Sequence, residues 1–498
     1  MRPTANVTIA KASRSMPIPS SASLKRLFVS LLVLGTAATG FCDSVDWHHQ
    51  HDNLVARLRA LSGMENAFGP EFQPLYHAAL PWYERFGGRV QHSVDDWMVP
   101  PEVYAAELAD ALEHGRNYFA DNPGALLPLV FDAKFPGGRT ISTNYWIILP
   151  AGFPEAGRKF PLVIGLHGSG WLNHPISFVR KTRKPAEVQR TFSVTPIDEA
   201  GPWKIDFLNA FLDSLLATFP IDPGRVYVEG HSLGGMATWE WALDNPDRFA
   251  AISPRAGRGE PFRAIRLKNI PAWVIHGAND DVVPNGFADQ MVTALQSCGA
   301  SVRYSVLKGV EHNMPEDLDE EQVVDWFLRQ TRSHEPPPPD PIESLHLGPA
   351  GFSPWELITV PSGVFWESAP VPGADEKMLL HATQQLFQRV HDAGELVDSP
   401  VELLLNVQSG AMTVRLAVPR TLRTTAAEFP AAVRSPPVKC IRFYFRGPVK
   451  DALAHLAAIE TEVSSVGLHP AQGAVRITPM TLWYNTPGFI AEYGVVLQ

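Results

Sequence analysis

Residues 225–241 read RVYVEGHSLGGMATWEW. The opening run is β-branched and aromatic, which predicts a strand, and the closing run predicts a helix. Between them stands Gly230-His231-Ser232-Leu233-Gly234, a G-x-S-x-G pattern. An ordinary strand–turn–helix corner would also use glycine. In a nucleophile elbow the glycines have a stricter purpose: the turn is so tight that little room remains beside the serine, whose backbone is strained. The pattern alone does not decide between the two readings.

The neighbouring sequence does. From about Gly137, strand-like stretches (TNYWIILP, FPLVIGLHG, RVYVEG, PAWVIHG, RYSVLKG) alternate with helical ones (PWKIDFLNAFLDSLLATFP, GFADQMVTALQSCG, EEQVVDWFLRQTR). Short loops between alternating strands and helices predict an α/β layer sandwich with a mainly parallel sheet over residues 137–332. A serine hydroxyl needs a base to take its proton, and the base needs an orienting acid. In this class of sheet the order along the chain is serine, acid, histidine. Downstream of Ser232, one strand runs into a loop carrying Asp280 and Asp281, and another into a loop carrying His312. Both loops belong outside the carboxyl ends of the strands, where such sheets bind ligands. The oxyanion of an acyl-transfer intermediate needs backbone N–H donors. Leu233, after the serine, is one candidate, and Ser169, in the glycine-rich loop of LVIGLHGSGW, is the other. His231, His167 and His276 are read as loop-holding residues, Trp239 and Trp241 as core, and Trp171 as a pocket wall.

Together these residues resemble the α/β-hydrolase superfamily, in particular its bacterial esterase and "predicted peptidase" branch, near the phospholipase/carboxylesterase and polyhydroxybutyrate-depolymerase-like proteins. The stretches that carry the resemblance are PLVIGLHGSG, IDPGRVYVEGHSLGGMATWEWALDNPDRFAAISP, HGANDDVVP and GVEHN, within Thr143 to Thr331. The resemblance implies a catalytic acid at the fifth position of H-G-x-x-D-x-V-V-P, which is Asp280, and a base at the histidine of G-x-x-H-N, which is His312. Glu311 departs from the small residue many relatives have there. The expected activity is cleavage of small-molecule carboxylic esters through an acyl-enzyme, with no metal or organic cofactor. A peptidase of the prolyl-oligopeptidase kind shares fold and triad. It ranks second because no propeller-blade repeat is present.

Composition frames this reading. The chain has 498 residues with 45% hydrophobic and 19% charged side chains, an ordinary globular composition of more than one domain. Residues 1–40 carry five basic side chains and no acid, followed by the apolar run LFVSLLVLGTAATG, too short to span a bilayer. They read as a cleaved export signal, with no stable membrane insertion after its removal and a periplasmic or secreted destination. Cys42 follows Phe41 rather than the small residue a lipid anchor wants. The remaining 37 basic and 52 acidic residues argue against a nucleic-acid partner. His48, His49 and His51 lie in WHHQHD without later metal-ligand spacing and read as a solvated leader.

Residues 41–136 have helical spacing and read as a packing or lid segment. The run SHEPPPPDP, at 333–341, cannot continue a helix and marks an extended linker over 333–342. Beyond it, residues 343–498 hold a weak internal repeat of strand–helix–strand–strand, with Gly394 and Gly467 ending the two helices. It predicts an α+β pseudo-twofold domain. Its pattern, and FRGPVKDALAHLAAIETEVSSVGLHP above all, resembles the gyrase-inhibitor-like effector-binding domain, which shares the SOUL-type fold. That resemblance implies a groove for a small hydrophobic ligand and a central acid. The acid is absent from AVRITPM of the second repeat, and Glu402 takes the analogous place in the first. No helix-turn-helix precedes the domain, so a transcriptional role does not carry over. A ligand-binding sensor with a vestigial hydrolase domain is the reading of a different class.

Overall fold

The computed structural model describes residues 44–87, 101–122, 124–135, 138–169, 189–197, 203–315, 318, 320–419, 432–481 and 489–498. The expected signal at 1–40 and Trp171 lie outside these residues. No helix among the described residues is long and apolar enough to cross a membrane.

The chain begins with helices α1 (Ser44–Ala60), α2 (Gln73–Phe86), α3 (Pro101–Glu113) and the single turn α4 (Tyr118–Asp121). Their apolar faces share one continuous core with the following sheet. Trp82 of α2 stands edge-on to Trp146 at 5.8 Å, and Arg85 reaches Asp132 at 2.8 Å. The segment is therefore a wall packed on the edge of the sheet, and His51 is used in it for packing, 4.8 Å from the Tyr83 ring.

Strands β1 (Leu126–Lys134), β2 (Thr140–Ile148), β3 (Phe160–Leu166), β4 (Phe192–Pro196), β5 (Ile221–His231), β6 (Ala251–Arg255), β7 (Ala272–Gly277) and β8 (Val302–Leu307) form one sheet in the order β1-β2-β4-β3-β5-β6-β7-β8. All neighbours from β4 to β8 are parallel, and β2 is antiparallel to both β1 and β4. Helices α5 (Ile205–Thr218), α6 (Leu233–Asp244), α7 (Gly286–Ser297) and α8 (Glu320–Leu328) connect or follow these strands. The sheet starts earlier than the expected boundary at 136/137, because β1 belongs to it. Its opening run LLPLVF is continuously apolar, so periodicity does not separate strand from helix there. As an edge strand it tolerates Pro128, which has no N–H for a second neighbour.

The proline-rich segment is not a free spacer. Arg263 clamps Asp340 with Nε at 2.9 Å, Arg266 donates to the Pro338 carbonyl at 3.2 Å, and Asn269 donates to that of Pro336 at 3.4 Å. The chain is thereby strapped along residues 261–267 of the preceding domain.

The C-terminal domain is an eight-stranded antiparallel sheet, β13-β10-β12-β11-β15-β16-β14-β9. Its strands are β9 (Glu356–Val360), β10 (Gly363–Glu367), β11 (Val401–Asn406), β12 (Met412–Ala417), β13 (Ala432–Ser435), β14 (Val438–Arg446), β15 (Pro470–Pro479) and β16 (Ile490–Leu497), with helices α9 (Glu376–Asp392) and α10 (Val449–Ser465). The pseudo-twofold axis runs between β11 and β15. The true repeat is β10-α9-β11-β12 against β14-α10-β15-β16, so the strand before the first helix is GVFWE and not WELITVPSG. The latter, β9, crosses over to pair with β14, while β13 returns to β10. Gly394 and Gly467 stand at φ 77° and 81° after the helices, the left-handed conformation that a helix C-terminus favours.

Candidate active site

The strand order reverses between β3 and β5, with β4 on one side and β6 to β8 on the other. At such a switch point the loops leaving adjacent strands diverge and open a crevice. Ser232 follows β5 at φ 57° and ψ −118°, a positive-φ conformation outside the left-handed helical region and strained for a residue with a side chain. It immediately precedes α6. The flanking glycines are demanded by close packing. A Cβ on Gly234 would lie 2.0 Å from the Leu166 carbonyl oxygen, and one on Gly230 would lie 2.3 Å from that of Gly234. Gly235 is pressed just as closely against Arg255, with 2.3 Å to its carbonyl. The Ser232 N–H donates to that same carbonyl at 3.0 Å, which ties the elbow to the end of β6.

Three side chains from three strand ends converge. Ser232 Oγ donates to His312 Nε2 at 2.9 Å. His312 Nδ1 donates to both carboxylate oxygens of Asp280, at 3.0 and 2.9 Å. Asp280 is fully enclosed, whereas the His312 side chain keeps 15% of its surface open. Oδ1 of Asp280 also accepts the N–H groups of Val282 at 3.0 Å and Val283 at 2.8 Å. Burial pushes the Asp280 carboxyl upward, but hydrogen bonds from His276, His312 and Val283 outweigh it and hold the group well below the usual carboxylate range. Asp281, the neighbouring candidate, is exposed, as is Glu311.

His276 is a partner that the sequence did not single out for this role. Its Nε2 donates to the Val283 carbonyl at 2.8 Å and lies 3.2 Å from Asp280 Oδ2. The signal was present, since a histidine four residues before the acid on a strand end can fold back onto it. His231 is buried and donates from Nε2 to the His312 carbonyl at 2.8 Å. Burial pushes its pKa down to about 4, so the ring is neutral and holds the His312 loop as a neutral strut. Glu229 and Arg255 form a wholly buried ion pair on adjacent strands beside the elbow.

Leu233 is the first residue of α6, so its N–H has no acceptor within the helix and lies at the positive end of the helix dipole. Gly168 approaches so closely that a Cβ there would sit 3.1 Å from Ser232 Cβ, which brings the Gly168-Ser169 backbone alongside the serine. Ser169 itself is exposed. His167 is fixed by its neighbours: Trp203 Nε1 donates to its carbonyl at 3.0 Å and the two rings lie 4.6 Å apart. Trp203, Trp239 and Trp241 are all in the main core.

The C-terminal domain carries two further features. Glu402 is buried between Arg415, at 3.0 Å, and Arg476, so the acid expected in a ligand groove is already neutralised within the fold. Separately, a cavity of about 380 Å³ opens between the two halves, lined among others by Arg258, Phe262, Phe287, Gln290, Tyr444 and Glu492.

No protein-family model matches the chain. Among curated proteins, it is 29% identical over 86 residues to the bifunctional acetylxylan esterase/xylanase XynS20E of Neocallimastix patriciarum, covering 17% of this chain and 13% of that protein. It is 29% identical over 130 residues to an uncharacterised protein of Mycobacterium tuberculosis (strain ATCC 25618 / H37Rv), covering 22% of this chain and 45% of that one. The matches thus span less than half of these relatives. Among solved structures, a thermostable esterase is 26% identical with a TM-score of 0.36, over 41% of this chain and 63% of its own.

Proposed function

We propose that this protein is an exported serine hydrolase that cleaves carboxylic esters. The observation that carries the reading is the Ser232–His312–Asp280 hydrogen-bonded chain at the switch point of a parallel sheet, with the serine on a strained elbow. Ser232 Oγ attacks the ester carbonyl carbon as its proton passes to His312 Nε2. The N–H groups of Leu233 and Ser169 receive the negative charge that develops on the carbonyl oxygen. His312 then delivers the proton to the departing alkoxide, which leaves as the alcohol. A water molecule, deprotonated by the same nitrogen, releases the acid from the acyl-enzyme. Asp280 keeps the His312 proton on Nδ1 and stabilises the imidazolium. The 86-residue likeness to the acetylxylan esterase/xylanase supports the hydrolase class. The choice of ester over peptide rests on the sequence resemblance, and export rests on the character of residues 1–40.

The test is hydrolysis of p-nitrophenyl esters, acetate to decanoate, by the purified protein and by Ser232→Ala, with fluorophosphonate labelling in parallel. Turnover and labelling that vanish in the variant are the expected result. Peptide cleavage without ester cleavage would move the reading to a serine peptidase. A second reading concerns the cavity between the halves, whose size suits a small ligand and whose aromatic lining fits the hydrophobic ligand expected of the C-terminal domain. If neither esters nor peptides are cut and Ser232 is inert, this ligand-binding role becomes the function of the chain.

A further inference from the structure

Val283 links the two halves of the molecule through three different groups. Its N–H holds Asp280 Oδ1 at 2.8 Å, and its carbonyl accepts from His276 at 2.8 Å. Its side chain, only 6% exposed, belongs to the apolar core of the C-terminal domain. The residues that follow are seized by that domain. Gly286 lies flat under the Phe387 ring of α9, so that a Cβ there would be 2.3 Å from the ring. Phe287 meets the same ring edge-on at 5.1 Å. One turn further, Asp289 accepts from His391 Nε2 at 2.6 Å and from the Val397 N–H at 3.2 Å, and Gln290 donates to the Ser399 carbonyl at 2.8 Å. Leu233 and Met236, just after the serine, pack on the same core.

We infer that the C-terminal domain is a working part of the active site: Phe387 is a positioning residue that, through Gly286, Phe287 and Val283, holds the Asp280 loop in register with His312. The inference rests on the serine-hydrolase reading and goes beyond it by giving the appended domain a role in catalysis. The loop between β7 and α7 is tied on one side to the end of β8 and the turn after it, with the Ala278 N–H on the Leu307 carbonyl and the Asn279 N–H on that of Val310, both at 2.9 Å, while from Val283 onward it is held by what covers it. Phe387 is 1% exposed and fills the space over that loop. Removing its ring leaves the loop free to relax toward the vacated volume. A displacement well under about 1 Å weakens the Asp280–His312 bonds, which orient the imidazole toward Ser232.

Among the described residues, the groups that face His312 are Asp280, Ser232 and the neutral His231, whose ring is 4.9 Å away, with the Arg255–Glu229 pair beside His231. His276 faces Asp280. Around Phe387 the charged and titratable groups are Arg258, 5.6 Å above the Phe287 ring, and the Asp289–His391 pair with Tyr304, whose hydroxyl donates to Asp289 at 2.7 Å. The substitutions at Phe387 replace none of these groups, so a change in the His312 Nδ1–H bond reports the loop.

The experiment compares full-length wild type, Phe387→Ala, the milder Phe387→Leu, and Ile459→Ala. Ile459 lies on α10 in the same domain core, 6% exposed, on the other helix from Phe387. The rate of fluorophosphonate labelling is measured, and the low-field Nδ1–H resonance of His312 is followed by NMR in histidine-labelled protein, assigned by its loss in His312→Gln. For Phe387→Ala, labelling should slow about tenfold and that resonance should move upfield or broaden away, because the Nδ1–H no longer sits squarely on the Asp280 carboxylate. Phe387→Leu should recover most of both, and Ile459→Ala should leave the resonance unmoved. An unchanged resonance in Phe387→Ala, or an equal change in Ile459→Ala, overturns the inference. Absence of labelling in wild type would sink the hydrolase reading alone, because the NMR resonance still decides whether Phe387 governs the Asp280–His312 contact.

Discussion

Replacing Asp280 by asparagine isolates what its charge and its two acceptors do. In the native site Oδ1 is claimed by the N–H groups of Val282 and Val283, at 3.0 and 2.8 Å. An asparagine oxygen will stay with those two donors, which turns the amide nitrogen into the position of Oδ2. There it meets the Nδ1–H of His312, 2.9 Å away, and the Nε2 of His276, 3.2 Å away. Two donors facing each other repel, and His312 escapes by moving its proton to Nε2. That proton then points at Ser232 Oγ, and the base can no longer accept. A wrong tautomer of this kind costs about 10⁴ in kcat, or about 5 kcal/mol of transition-state stabilisation. The assay is kcat of active-site-titrated protein on a p-nitrophenyl ester, with Asp281→Asn as the exposed neighbour, expected to remain within about twofold of wild type. An Asp280→Asn enzyme that keeps more than about a tenth of the native kcat would refute the tautomer argument.

Three other outcomes follow from the same geometry. Gly234→Ala sets a methyl group against the Leu166-His167 backbone, so activity should be lost with at least about 1–3 kcal/mol of stability, whereas Gly168→Ala, at 3.1 Å, should fold normally and lose activity only; urea melts and turnover separate the two. His231 has its pKa lowered by burial to about 4 from an ordinary 6.5, so the unfolded chain binds a proton that the folded one refuses between those values. Its stabilising contribution is complete above pH 6.5, is lost as pH falls toward 4, and amounts to about 3 kcal/mol; a Tm-against-pH curve should flatten over that window in His231→Gln. Glu402→Gln leaves Arg415 and Arg476 facing each other without a buried anion, and chemical denaturation should show a loss of about 3–5 kcal/mol, while a neutral effect would mean that water reaches the pair.

Much of the half with the parallel sheet can be read from local pattern because its elements are short-range: a strand, a tight turn and a helix each leave their own period. The elbow could be placed from G-x-S-x-G, and the loops bearing Asp280 and His312 from the strand ends that precede them. What escaped notice was tertiary. His276 looks like any strand-terminal histidine until the loop returns its carboxylate to it. Arg255 and Glu229, each on a strand, give no local sign that they pair across neighbouring strands. β1 was hidden because a continuous apolar run is compatible with either secondary structure. The linker was legible as extended but not as fastened, since the carboxylate that fastens it and the arginine that receives it, Asp340 and Arg263, lie in different segments of the chain. The exchange of β9 and β13 between the two repeats could not be seen either, because strand partners are not encoded by alternation.

That exchange has a bearing on how the C-terminal domain is made. Because β9 finds its partner in β14 and β13 finds its partner in β10, neither half closes its own sheet. A chain emerging from synthesis as far as the end of α9 carries β9 and β10 with no strand beside either, two open edges of the sort that recruit other chains. The domain therefore reaches its final form only after its last strand is available, and the contacts that complete it are distant in sequence and slow to form. Since the loop after Asp280 is covered by this late-arriving domain, the cluster of Ser232, His312 and Asp280 gains its cover only once that domain has folded.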